Sequence, residues 1–269
     1  MDKACGRLMK SSFFALLRVV EFRSKGEIMI KKTLFFGSLF LAAAAVPAPV
    51  FGAETAQTEV SFNLGAVTEY SFRGLAQSDE HPAIQGGADI AHSSGWHAGL
   101  WGSTVDFNDG QEAKVEVDVY GGYKNTFNGI DYGVQATYYA YPGANNSLNY
   151  DFYELGLSAG HDFGVFSATA SFAYSPEFFG RSGHAEYYAL DVEAPLPYDF
   201  SLSGHIGRQA IENNTAFGYA DYTDWSLGLG YDFKGFDLSL KYVDTSLQEP
   251  GQCADGCAER LIFGVSKSF

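Results

Sequence analysis

The feature that most constrains this chain is a two-residue alternation of apolar and polar side chains, sustained over long segments. In AKVEVDVYGGY, Ala113, Val115, Val117 and Val119 share one face, and Lys114, Glu116, Asp118 and Tyr120 the other. IDYGVQATYYA sets Ile130, Tyr132, Val134, Ala136 and Tyr138 against Asp131, Gly133, Gln135, Thr137 and Tyr139. FDLSLKY sets Phe236, Leu238, Leu240 and Tyr242 against Asp237, Ser239 and Lys241. Successive strand residues point to opposite faces, so this period predicts strands with one apolar and one polar face.

Reading on in the same way gives twelve strands, at about 59–73, 82–92, 95–107, 112–124, 129–141, 149–162, 165–175, 184–194, 199–209, 221–233, 236–245 and 258–269. Soluble strands average about five or six residues, whereas a tilted bilayer-crossing strand needs about nine to eleven. The connections alternate too. SSG (93–95), NTFNG (125–129), FG (163–164), PLPYD (195–199) and DFKG (232–235) are short, while those near 74–81, 142–148, 176–183, 210–220 and 246–257 are long. Short turns at one end, long loops at the other and an even strand count describe a bacterial outer-membrane barrel with both termini on the periplasmic side. The predicted fold is therefore all-β, an antiparallel transmembrane β-barrel of about twelve strands. A soluble periplasmic β-barrel is the runner-up, and it would be extracted without detergent.

Composition agrees. Aromatic residues make up 16% and charged residues only 18% of the chain, sparse in charge for a soluble protein. HDF (161–163), YDF (198–200) and YDF (231–233) recur at predicted short turns. Aspartate suits the turn, and the flanking rings suit the membrane–water interface. The chain ends ERLIFGVSKSF, with Leu261, Phe263, Val265 and Phe269 on one row. A last strand with unpaired backbone groups is not tolerated in hydrocarbon, so it must pair with the first. Phe263, Val265 and the terminal Phe269 resemble the C-terminal signal read by the outer-membrane barrel-assembly machinery. Lys267, on the same row, sits near enough to the end to reach the interface.

The N-terminal segment reads as targeting. Lys31 and Lys32 precede the apolar TLFFGSLFLAAAAV (33–46), and PAPVFGA follows. This predicts a secretory signal peptide over 29–53, cut after Gly52 or Ala53, with 1–28 as an extension upstream of the true start at Met29. Residues 1–53 hold 8 of the 17 Lys+Arg and 3 of the 32 Asp+Glu, leaving 9 basic and 29 acidic residues and a net charge of −20 for 54–269. That excess repels nucleic acid and excludes it as a partner. The partners expected are outer-membrane lipid and lipopolysaccharide, the assembly machinery, and small solutes or cations.

Several blocks resemble one family. They are EYSFRGLAQSDEHPAIQGG (69–87), GLWGSTVDF (99–107), VDVYGGY (117–123), YYAYPGA (138–144), YSPEFFG (174–180), YTDWSLGL (222–229) and FGVSKSF (263–269). In that order they resemble the Gcw_chp type of proteobacterial conserved hypothetical proteins. The resemblance implies an outer-membrane β-barrel from a Gram-negative bacterium and brings no catalytic residues with it.

The polar faces would line the lumen with Glu69, Asp89, Glu116, Asp118, Asp131, Glu154, Asp191, Glu193, Asp224 and Asp237, partly offset by Arg73, Lys114, Lys241 and Arg260. Such a lumen concentrates cations and disfavours anions, which predicts a porin-like passive channel for small solutes or cations. Eight strands make a filled barrel and sixteen a channel, so twelve fits either an open pore or a structural or adhesive barrel filled by ion pairs and tyrosine. In SFRGLAQSDEHPAIQGG, Arg73 is placed at the mouth, ahead of Asp79, Glu80 and His81. The segment suits an inward constriction with Arg73 paired to acids, or an outer loop ended by Pro82, and a structural role is the preferred reading.

An embedded hydrolase is the third class. Ser182 and His184 are close within RSGH, but no G-x-S-x-G occurs. The histidines read as loop and interface residues, and no enzyme activity is expected. DFNDG (106–110) falls short of a calcium loop and reads as a turn. Cys253 and Cys257 predict a disulfide within one loop rather than a metal site. No cofactor or metal is expected.

Overall fold

In the computed structural model, which describes residues 57–108, 110, 113–249, 251–253 and 255–269, the alternating segments close into a barrel. The predicted extension 1–28 and signal peptide 29–53 lie outside the described residues. The elements are β1 (Thr58–Val67), β2 (Ser71–Phe72), β3 (Leu75–Ala76), β4 (Ala83–His92), β5 (Trp96–Thr104), β6 (Val115–Phe127), β7 (Ile130–Ala140), β8 (Phe152–Asp162), β9 (Ser167–Ser175), β10 (Ala185–Pro195), β11 (Phe200–Ile211), β12 (Tyr222–Phe233), β13 (Phe236–Thr245) and β14 (Arg260–Ser268). All but β2 and β3 form one closed antiparallel barrel of twelve strands, each beside its neighbour in sequence, with β1 between β14 and β4. No helix among the described residues is long and apolar enough to cross a membrane.

The connections at one end, 93–95, 128–129, 163–166, 196–199 and 234–235, are tight. Those at the other, 68–82, 105–114, 141–151, 176–184, 212–221 and 246–259, are long. The apolar row of each strand faces out. Phe62 and Leu64 on β1, Leu155 and Leu157 on β8, Leu227 and Leu229 on β12, and Leu261 and Phe263 on β14 are all exposed, Leu261 to 68%. An apolar surface that continues round the whole barrel is stable only when something apolar covers it. The core lies inside instead. It is rich in tyrosine, with Tyr70, Tyr120, Tyr139 and Tyr141 joined by Trp101, Phe152 and Phe178.

The first strand is shorter than its sequence period predicts. After Val67 the chain leaves the wall, so residues 68–73 are not part of the barrel strand. At the departure point Thr68 donates its N–H to the Phe263 carbonyl (2.8 Å), and its hydroxyl accepts from the Phe263 N–H (3.0 Å). Closure then runs down to the last residue: Phe269 N–H donates to Phe62 O (2.8 Å), and Phe62 N–H to Phe269 O (3.2 Å). Deleting Phe269 removes both bonds and is expected to cost about 1–3 kcal/mol at roughly 0.5–1.5 kcal/mol each. Urea titration of the lipid-refolded protein checks this, and an unchanged midpoint would refute it.

Candidate functional site

The departing chain enters the barrel. Residues 68–82 make an inturned hairpin in which β2 and β3 pair through Phe72 and Leu75. Its two central residues have positive φ, Arg73 at 49° and Gly74 at 80°. Two-residue hairpins need that backbone, and glycine supplies it at no steric cost. A Cβ at Gly74 would lie 2.6 Å from Thr245 Cγ2 and 2.8 Å from Asp224 Cβ, so only glycine lets the tip approach the β12–β13 wall. Arg73 is a non-glycine residue held in a costly conformation, which persists only where its surroundings enforce it.

Those surroundings are visible. Arg73 is 5% exposed. Its Nη2 donates to Glu154 Oε2 on β8 (2.6 Å) and its Nη1 to Gln209 Oε1 on β11 (2.8 Å). The guanidinium lies 4.2 Å from the Tyr187 ring centroid and 4.7 Å from that of Phe72. Arg73 therefore lies inside the barrel near the end that carries the long connections, between the third residue of β8 and the third from last of β11, and its contacts reach across from the β1–β4 side. The hairpin is tied at other points. Tyr70 Oη donates to Glu116 Oε1 (3.0 Å), Arg260 Nε to Glu69 Oε1 (2.7 Å) and Arg260 Nη2 to Gly74 O (2.7 Å). Burial raises the Glu69 carboxyl above its ordinary value although Arg260 pulls it down. Around the hairpin, rings from the strand ends and the long connections fill the end of the barrel, with Tyr139 of β7 stacked on Phe152 of β8 and Tyr150 on Phe179 of the connections, each pair at 4.3 Å.

Beneath this plug the character changes. Tyr187 Oη bonds Asp224 (3.0 Å) and His205 Nε2 (2.9 Å). His205 also contacts Asp224 through Nε2 (2.9 Å) and Asp191 through Nδ1 (2.6 Å). Asp89 accepts from Tyr120 Oη, and His97 Nε2 meets Gln135 Oε1 (3.1 Å). Toward the tight turns the inner rows become small and polar, as with Ser158, Thr169 and Ser203, and half-buried Asp131, Asp191, Glu193, Asp237, Lys124 and Lys241 stand among them.

The sequence-predicted lumen residues thus separate into two layers. Glu69, Arg73, Glu116, Asp118, Glu154, Asp224 and Arg260 sit in or against the plug; Asp89, Asp131, Asp191, Glu193, Asp237 and Lys241 line the barrel below it. Glu116 and Asp118 are 1% and 0% exposed, so neither presents its charge to an open pore. Lys114 is a correction. It precedes β6, its carbonyl accepts from Val105 N–H (3.1 Å), and its side chain turns out to Asp106 (3.1 Å) at the rim. The histidines are another correction, since His97 and His205 lie inside the barrel rather than in loops or at the interface. Ser182 and His184 do not meet. The serine hydroxyl donates to Phe179 O (2.9 Å), whereas the His184 backbone N–H (3.1 Å) and ring (2.9 Å) meet Glu212 Oε2 and hold that exposed carboxyl below its ordinary value. Asp106 of DFNDG is engaged by Lys114 and by Asn108 N–H (3.1 Å), as befits a turn. Cys253 and Cys257 are joined by a disulfide.

Comparison with known proteins follows the same lines. One similar solved structure is described as "KdgM porin", with a TM-score of 0.54, 10% identity, and coverage of 78% of this chain and 99% of that one. Another, described as a "NanC porin", has a TM-score of 0.53, 12% identity and the same coverage. At such identity the likeness is one of fold. No curated protein matches in sequence. A family model described as "Bacterial protein of unknown function (Gcw_chp)" matches residues 52–269. The closed barrel, from Thr58 to Ser268, lies within that match, and the chain belongs to the Gcw_chp family.

Proposed function

We propose that this protein is an outer-membrane barrel for passive passage of small solutes, cations foremost, with segment 68–82 as its constriction. The observation that carries the reading is the inner surface below the plug. There Asp131, Asp191, Glu193 and Asp237 outnumber Lys124 and Lys241, and partly exposed like charges in a narrow low-dielectric passage set its ion preference. The fold shared with two proteins described as porins supports it. The continuous apolar exterior supports a bilayer with lipopolysaccharide around the barrel. Export through a signal peptide over 29–53 and recognition of Phe263, Val265 and Phe269 by the assembly machinery complete the proposal.

The test is conductance of the refolded 54–269 chain in planar bilayers under a KCl gradient. Small discrete steps with a reversal potential toward that of K⁺ are expected. Asp131→Asn, Glu193→Gln and Asp237→Asn together should move that potential toward Cl⁻. The filled upper layer favours a second reading, a structural or adhesive barrel without a pore. A folded, heat-modifiable protein that stays silent with the plug present and with it excised would establish that reading instead.

A further inference from the structure

The plug is not held evenly. One wall, the β13–β14 connection, grips its returning arm through the loop that Cys253 and Cys257 close. Ala76 N–H donates to Gly256 O (2.8 Å), and Gly256 lies inside the short ring formed by the disulfide. Gly256 has φ 76°, and a Cβ there would lie 2.8 Å from Ala76 Cβ, so the loop is fitted against the plug without room for a side chain. Leu75 of the plug packs in one buried cluster with Tyr222, Leu247, Cys253 and Cys257. The loop is braced in turn: Thr245 Oγ1 donates to Cys257 O (2.7 Å), and Glu249 Oε1 accepts from Cys257 N–H (2.9 Å) and Ala258 N–H (3.1 Å).

We infer that the Cys253–Cys257 loop is a latch on the plug, and that reducing its disulfide loosens segment 68–82. Two bonded sulfurs fill less space than two thiols in van der Waals contact, so a packed cluster must expand when the bond breaks. The ring that aims the Gly256 carbonyl at Ala76 is lost in the same step. The chemistry is thiol–disulfide exchange with a dithiol. One thiolate attacks Cys253 or Cys257 to give a mixed disulfide, and the second displaces the remaining cysteine. The dithiol gains an S–S bond and loses two electrons; the two cysteines gain those electrons and take up two protons.

The latch rests on the channel reading for its effect on conduction but not for its effect on the plug, so two readouts are needed. The first is hydrogen exchange on the folded protein in detergent, oxidised and after dithiothreitol, with thiol alkylation to confirm reduction. Faster exchange at Tyr70–Gln77, by tenfold or more at Ala76, is expected in the reduced protein and in the Cys253→Ala/Cys257→Ala variant. Equal protection at Ala76 in all three overturns the latch. The second is bilayer conductance. Dithiothreitol should raise step size or open time in the wild type and leave the double variant, already raised, unaffected. A plug-excised protein that conducts while the wild type ignores reduction sinks the latch alone. Silence from every form sinks the channel reading and leaves the latch to be decided by exchange.

Discussion

Arg73→Ala is expected to destabilise the folded barrel by about 3–5 kcal/mol, the usual cost of removing one partner from a buried ion pair. The cost arises at Glu154. Its carboxylate, 4% exposed, would lose the Nη2–H donor at 2.6 Å, and Tyr139 Oη at 3.2 Å would be left as its remaining hydrogen-bond donor. Gln209 Oε1 would lose its donor as well, and the Tyr187 and Phe72 rings their cation. Denaturant titration of the lipid-refolded protein reads the loss. The control is Arg73→Met with Glu154→Leu, which removes both charges and keeps the volume. It should regain most of the stability, because an apolar replacement of a buried pair is often neutral or better. If Arg73→Ala alone costs less than about 1 kcal/mol, the value of a solvent-exposed pair, then Arg73 does not hold a buried pair inside the barrel.

Much of this architecture was legible in the chain because a barrel wall is a local pattern. Each strand needs an outward apolar row, and the alternation in 130–140 or 236–245 states it outright. The tight turns were legible for the same reason. Segment 68–82 was less so. The alternation of β1 runs on in sequence past Val67, and nothing local says that Thr68 will pair with Phe263 and release the chain inward. Arg73 meets Gln209 and Glu154 across sequence separations of 136 and 81 residues, contacts that no window of sequence displays. The one local hint was a glycine, Gly74, of the kind that tight turns favour. His205 was missed differently. SLSGHIGRQ puts it on the row of Ser203 and Gln209, so the alternation did hold the answer. Reading histidines as a class, rather than by row, concealed it. Lys114 shows the converse error, because parity holds only while the strand lasts, and β6 begins one residue later.

Excising the plug, by replacing residues 69–81 with a short Gly/Ser bridge, is expected to enlarge unit conductance several-fold and to sharpen the preference for K⁺. Both effects follow from what the hairpin covers. It carries Arg73, one of the few cations inside the barrel, and it occupies the space between β8, β11 and β13. Without it Glu116, Asp118, Glu154 and Asp224, now 0–4% exposed, would face water on the wall. Asp118, fully buried beside Glu116, has most to gain. A ring of four, freed of the guanidinium, is a stronger cation filter than the half-buried acids below it. The two effects also separate the roles of the segment. A variant with larger steps and unchanged selectivity would make the plug a steric stop alone. Larger steps with a reversal potential nearer that of K⁺ would make Arg73 a charge brake as well. Unchanged conductance from a correctly folded variant would mean that the narrowest point lies lower, among the inward side chains beneath the plug, where His205 ties Asp191 and Asp224 of its two neighbouring strands along the wall.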